Sequence, residues 1–151
     1  MTRQHTVSLL NELIETSHDG EKGFAKAARE AVDPQLKSLF VEGAMRCREG
    51  ARELEHRVRE MGLEPVQGGS VAGALHRGWL EVKSLSTSRD ARAILEECER
   101  GEDYAKARYR QVLQDEELPQ DLRSVIERQY AGVLTNHDRV RALRDALPGS
   151  P

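Results

Sequence analysis

The centre of the chain carries a stretch, residues 94–109, that reads ILEECERGEDYAKARY. On a helical wheel of about 100° per residue its apolar side chains form one stripe. The stripe consists of Ile94, Leu95, Cys98, Ala105, Tyr109 and Val112. Glu102 falls inside the stripe, whereas Glu97 and the other acidic residues of the stretch fall mostly outside it. Because a carboxylate at a core position is costly unless it is paired or bound to a metal, the environment of Glu102 is the first question.

The composition favours long amphipathic helices. Of the 151 residues, 32% are charged and 4% are aromatic, a balance more typical of helical proteins than of sheet proteins. The net charge is −3 with both signs interspersed, so neither nucleic acid nor a membrane is indicated as a partner. The N-terminus lacks an apolar signal core, and no run of about 18 apolar residues occurs. We therefore expect a single-domain, cytoplasmic protein.

Helical spacing of apolar residues predicts two helical hairpins joined by a shorter crossover helix. The first hairpin spans residues 6–61, the crossover helix 70–86, and the second hairpin 90–147. Asp33 can cap the second helix, Pro34 suits its first turn, and Gly62 suits its C-terminal end. We expect the crossover helix to pack along the outside of the bundle, with Trp79 as its anchor. A ligand-binding role for His76, Arg77 and Trp79 stays open.

The two hairpins are related by an internal repeat. The segment GEKGFAKA at residues 20–27 matches GEDYAKA at 101–107, and PQLKSLF from residue 34 matches PQDLRSVI from residue 119. Two hairpins with one long connection have the connectivity of ferritin-like folds. The predicted fold class is therefore all-α, a ferritin-like four-helix bundle with an additional crossover helix.

Five segments of the chain resemble a known family. They are LNELI at 10–14, DGEKGF at 19–24, SVAGALHRGW at 70–79, ECERGED at 97–103 and HDRV at 137–140. With these segments spread over nearly its whole length, the chain resembles a bacterial domain-of-unknown-function family with a ferritin-like four-helix bundle. The resemblance implies the fold, and it implies no activity because the family has no established one.

The repeat also predicts a group of polar side chains in the core. Glu21 and Glu102 are equivalent in the two copies, and both lie on apolar stripes, so they could face each other. His18 lies one turn before Glu21, and His137 lies on the stripe of the last helix. Carboxylates and imidazoles from facing helices are the ligands with which bundles hold iron or manganese. The alternatives are a metal site formed by His18, Glu21, Glu102 and His137, or buried polar contacts that only set the helix register.

The complete ligand pattern of a di-metal carboxylate bundle is absent from the sequence. That pattern requires Glu-x-x-His on two helices. Residues 53–56 match it, but with Leu54 pointing inward His56 points roughly the opposite way, and Leu134 stands three residues before His137. The sequence therefore favours a non-catalytic bundle that is stress-associated or binds a partner or a second copy of itself. The alternative is an iron- or manganese-binding bundle with redox or metal-handling activity.

Cysteine and glycine positions add two further expectations. Cys47 and Cys98 lie far apart on apolar stripes, which predicts reduced core thiols, although a redox pair stays open. Gly43 and Gly50 lie on the stripe of the second helix. Since a helical glycine costs about 1 kcal/mol relative to alanine, these two either allow close helix approach or leave room beside the polar residues.

Overall fold

The structure, a computed structural model, consists of four long helices within the described part of the chain, residues 2–67, 79 and 90–148. The helices are α1 (Arg3–Glu30), α2 (Pro34–Glu60), α3 (Ala91–Leu113) and α4 (Gln120–Asp145). The predicted all-α fold class is confirmed, and the largest difference in helix bounds is the start of α1 at residue 3 rather than 6. The predicted crossover helix, apart from Trp79, lies outside the described residues.

Side chains next to the helix ends explain where the helices begin and stop. Asp33 Oδ1 accepts a hydrogen bond from the backbone N–H of Gln35 at 2.7 Å, as predicted for the cap of α2. Asp90 Oδ1 accepts one from Ala93 N–H at 2.8 Å and caps α3 in the same way. After α2, Gly62 has a φ of 82°, a left-handed conformation that glycine adopts without strain.

The helices bury two apolar clusters in the described part of the bundle, one towards each end. One includes Leu10, Ile14, Leu54, Val58, Val112 and Ile126. The other includes Phe24, Phe40, Trp79, Ile94, Leu95 and Val140. Along α3, Glu102 lies between Cys98 of one cluster and Ala105 of the other. The polar middle of the molecule is therefore bounded by apolar packing on both sides.

Trp79 is inserted between α1 and α3. Its ring centroid lies 5.2 Å from that of Phe24, in an edge-to-face arrangement. A Cβ atom added to Gly23 or Gly101 would lie 2.2 Å or 2.1 Å from the indole, so both positions need glycine for this close approach. Trp79 is buried in the bundle, but the helix that it is predicted to anchor lies outside the described residues. None of the described helices is both long and apolar enough to span a membrane.

Candidate functional site

Glu102 is almost completely buried in the middle of the bundle, with 3% of its surface exposed. Its Oε1 accepts a hydrogen bond from Arg46 Nη2 of α2 at 3.1 Å and another from Asn136 Nδ2 of α4. Burial raises the pKa of Glu102, while the positive charge of Arg46 and the hydrogen bond from Asn136 partly offset that rise. The buried carboxylate therefore faces a guanidinium and an amide from two other helices.

His18 and Glu21 lie in a different environment, at the junction of α1 and α2. His18 Nε2 lies 3.0 Å from Glu55 Oε2, and His18 Nδ1 lies 3.9 Å from Glu21 Oε1. A third of the Glu21 side chain, 33%, is exposed, whereas its repeat counterpart Glu102 is buried. The repeat thus matches the two residues in sequence but not in depth. Among the described residues, the ligand atoms of His18, Glu21, Glu102 and His137 do not come together as one group.

His137 joins a group that the sequence did not reveal, with Asp103 and Glu99 of α3. His137 Nε2 lies 2.6 Å from Asp103 Oδ1, and the histidine side chain is 4% exposed. Ligand atoms of Glu99, Asp103 and His137 all lie within 4.8 Å of one another. Glu99 and Asp103 are four residues apart and therefore share one face of α3. The four-residue spacing of Glu99 and Asp103 was the sequence signal from which this group could have been predicted. The helical wheel, however, placed both residues outside the apolar stripe and therefore towards solvent.

Glu99 has one carboxylate oxygen that is poorly satisfied. Arg144 Nη1 lies 2.8 Å from both Oε1 and Oε2, but its angle suits a hydrogen bond only to Oε1. Oε2 is buried, and no described residue donates a hydrogen bond to it. The Glu99 carboxylate therefore lies near an imidazole and a second carboxylate, and it is also in contact with the Arg144 guanidinium.

Two other predictions about acidic residues have clear outcomes. The prediction that His56 points away from the bundle is confirmed, because its side chain is 73% exposed. Glu53 instead accepts hydrogen bonds from Arg128 and Gln129. Although burial raises the pKa of Glu53, those hydrogen bonds bring it below its ordinary value.

The assignment of Glu97 to the outside of the stripe was wrong, since this residue is buried. The physical reason is that α3 packs against both α1 and α4, which buries a wider face than one stripe.

A cavity of about 460 Å³ lies beside the Arg46–Glu102 pair, lined by all four helices and Trp79. Its wall includes Phe24, Trp79 and Tyr109, and polar groups of Cys47, Glu53 and Gln129. Neither Cys47 nor Cys98 forms a disulfide bond. Burial raises the pKa of Cys47 to about 12, so its thiol stays protonated at neutral pH.

Comparisons with known proteins agree with this architecture. A family model described as "Domain of unknown function (DUF2383)" matches residues 5–115. A mutant of Dps1 from Mycobacterium smegmatis has a TM-score of 0.78 at 15% identity, covering 94% of this chain and 96% of that one. A dodecameric thioferritin, the bacterioferritin-related protein of Bacteroides fragilis, has a TM-score of 0.77 at 14% identity, covering 94% and 85%.

A conserved hypothetical protein from Mycobacterium tuberculosis is similar over 99% of this chain and 98% of its own, with a TM-score of 0.76 at 14% identity. A search of curated proteins found no match. At such identities the structural matches show the fold alone, while the family model covers most of the chain. The chain therefore belongs to the DUF2383 family of domains of unknown function, and its fold is a ferritin-like four-helix bundle.

Proposed function

We propose that this protein binds a divalent transition-metal ion at Glu99, Asp103 and His137. The observation that carries the proposal is the convergence of one imidazole and two carboxylates, whose ligand atoms all lie within 4.8 Å of one another. Of the four residues that the sequence predicts as ligands, His137 belongs to this site. Glu99 and Asp103 take the place of the other three residues, because their ligand atoms are the ones that lie near His137.

The donor types narrow the choice of ion. One imidazole nitrogen and two carboxylates suit zinc, iron(II) or manganese(II), whereas magnesium and calcium prefer oxygen donors alone. The Asp103 side chain is 55% exposed, so an ion can reach the group from solvent. Three protein ligands leave coordination positions for water, which is compatible with metal storage, transfer or chemistry.

Isothermal titration calorimetry of metal-free protein with zinc(II) and manganese(II) tests the proposal. We expect one ion per chain and an affinity that falls by about tenfold or more in His137→Gln. The matched control is His56→Gln, because His56 is exposed and remote from the group. No saturable binding to the wild type, or an equal loss in both variants, would refute the site.

We propose self-association as a second, compatible function. Val41 and Met45 lie one turn apart on α2 and are 45% and 56% exposed, so they form an adjacent apolar pair on the surface. One structurally similar protein is a dodecamer, so the occupant we propose for this apolar pair is a second copy of the chain.

Sedimentation velocity tests this second function. The wild type should form an oligomer, and the double variant Val41→Lys with Met45→Lys should be monomeric. A monomeric wild type would contradict this function without affecting the metal site.

A further inference from the structure

We propose that the cavity beside Glu102 binds a small, uncharged, planar aromatic molecule. The proposal concerns a site separate from the Glu99–Asp103–His137 group and does not depend on it. The cavity volume, about 460 Å³, is within the range of cavities that hold small ligands. It lies between all four helices and is partly open to solvent, so a bound molecule would contact side chains from several helices.

The aromatic residues of the chain are concentrated at this cavity. The whole sequence has two Phe, three Tyr and one Trp, and one of each, Phe24, Tyr109 and Trp79, lines the cavity. Ring faces and edges contribute favourable contacts to another planar π system beyond simple area burial. The three rings are mostly packed against protein atoms, and the parts of them that reach the cavity favour a flat aromatic ligand over a flexible aliphatic one.

The charges of the lining disfavour an anionic ligand. Arg46 is paired with Glu102 at 3.1 Å, and Arg128 is paired with Glu53 at 2.5 Å. The remaining charged residue of the described lining, Glu49, is negative. An anion would lose its hydration and meet guanidinium groups that carboxylates already occupy. A neutral molecule meets no such cost.

Two glycines keep space open on the cavity wall without being required by close packing. A Cβ on Gly50 would lie 3.6 Å from the Gln129 side chain, and one on Gly132 would lie 3.4 Å from Arg46 Cδ. Alanine would therefore fit at Gly50 with ordinary contacts, and helix propensity favours alanine by about 1 kcal/mol. Gly23 and Gly101 differ, because Trp79 occupies the space where their side chains would be. What glycine provides at Gly50 and Gly132 is room in the cavity.

The test uses naphthol, an uncharged aromatic probe, and its anionic analogue naphthoate. Binding is measured by calorimetry in the presence of a chelator, so that failure of the metal site cannot affect the result. We expect saturable binding of naphthol and at least about tenfold weaker binding of naphthoate. Because Trp79 is the only tryptophan in the chain, its single indole N–H signal in NMR spectra of nitrogen-labelled protein should shift on binding.

A cavity-filling variant locates the site. Gly50→Leu should weaken naphthol binding by about tenfold or more without lowering the melting temperature. The control, Arg48→Leu, adds the same side chain to the exposed side of the same helix and should bind naphthol as the wild type does. If Gly50→Leu does not fold, Gly132→Leu fills the cavity from the opposite helix. Equal affinity for both probes, an unshifted Trp79 signal, or unchanged binding in a folded cavity-filling variant would overturn the proposal.

Discussion

At the scale of single residues, the stability of the bundle centre depends on the partners of Glu102. Its carboxylate is buried, and Arg46 and Asn136 donate hydrogen bonds to it from two other helices. Taking a carboxylate out of water costs free energy, and only good pairing offsets this cost. Replacing either partner should therefore have a larger effect than replacing a surface charge.

The first prediction concerns pH. Burial raises the pKa of Glu102 in the folded state above its ordinary value of 4.5. The folded state therefore binds this proton more tightly than the unfolded state, and the free energy of unfolding contributed by Glu102 falls as the pH rises from 4.5 through the raised pKa. In Glu102→Gln this fall should be absent. Urea denaturation from roughly pH 5 to pH 8 measures it, with exposed Glu116→Gln as the control. Identical slopes in the wild type and Glu102→Gln would refute the prediction.

The second prediction concerns Arg46, the positively charged hydrogen-bond donor to Glu102. Arg46→Met should lower the free energy of unfolding by about 2 kcal/mol or more, because it leaves Glu102 with one neutral donor in a buried position. Exposed Arg48→Met on the same helix should change it by no more than about 0.5 kcal/mol. Chemical denaturation at neutral pH compares the two. A similar effect of both substitutions would show that the ion pair contributes little.

At the scale of helices and their contacts, Trp79 joins α1 to α3 through two glycines. The third prediction is that Gly101→Ala lowers the free energy of unfolding by about 1 to 3 kcal/mol through overpacking, although alanine favours a helix by about 1 kcal/mol. Gly50→Ala, which has ordinary contacts available, should leave stability unchanged or raise it. Thermal or urea denaturation measures both. A stabilising Gly101→Ala would mean that Trp79 moves away at little cost.

The contact between α3 and α4 contains the proposed metal group and a competing cation. Arg144 is 2.8 Å from Glu99, so a metal ion must share that carboxylate with a guanidinium. The fourth prediction is that Arg144→Gln binds zinc(II) or manganese(II) more tightly, by roughly threefold to tenfold. If Glu99, Asp103 and His137 serve only to join the helices, the substitution should lower stability slightly and change no metal affinity. Calorimetry of both proteins distinguishes these outcomes.

At the scale of the whole molecule, apolar clusters towards the two ends hold the bundle together. Buried polar and charged side chains lie between these clusters. Three features lie near the middle of α3: the Arg46–Glu102 pair, the cavity and the Glu99–Asp103–His137 group. Binding at either proposed site would therefore add contacts where apolar packing is interrupted. Because a ligand that binds only the folded state raises its stability, each site should raise the melting temperature independently of the other.

Local sequence was sufficient to determine the helices, their ends and the burial of Glu102. Apolar spacing follows the 3.6-residue period of a helix, Asp33 and Gly62 act on their immediate neighbours, and the wheel correctly separated Glu102 from His56. These properties depend on residues within a few turns of each other. A single sequence therefore contains the information needed to predict them.

Only the tertiary structure decided which polar side chains meet. Arg46 reaches Glu102 from α2, Glu21 stays near the surface with His18, and His137 pairs with Asp103. A helical wheel gives direction around one helix, but it gives neither the rotation of the facing helix nor the depth at which two helices cross. The partners of the buried groups depend on both, because long side chains such as arginine and glutamate change partners with small shifts between helices.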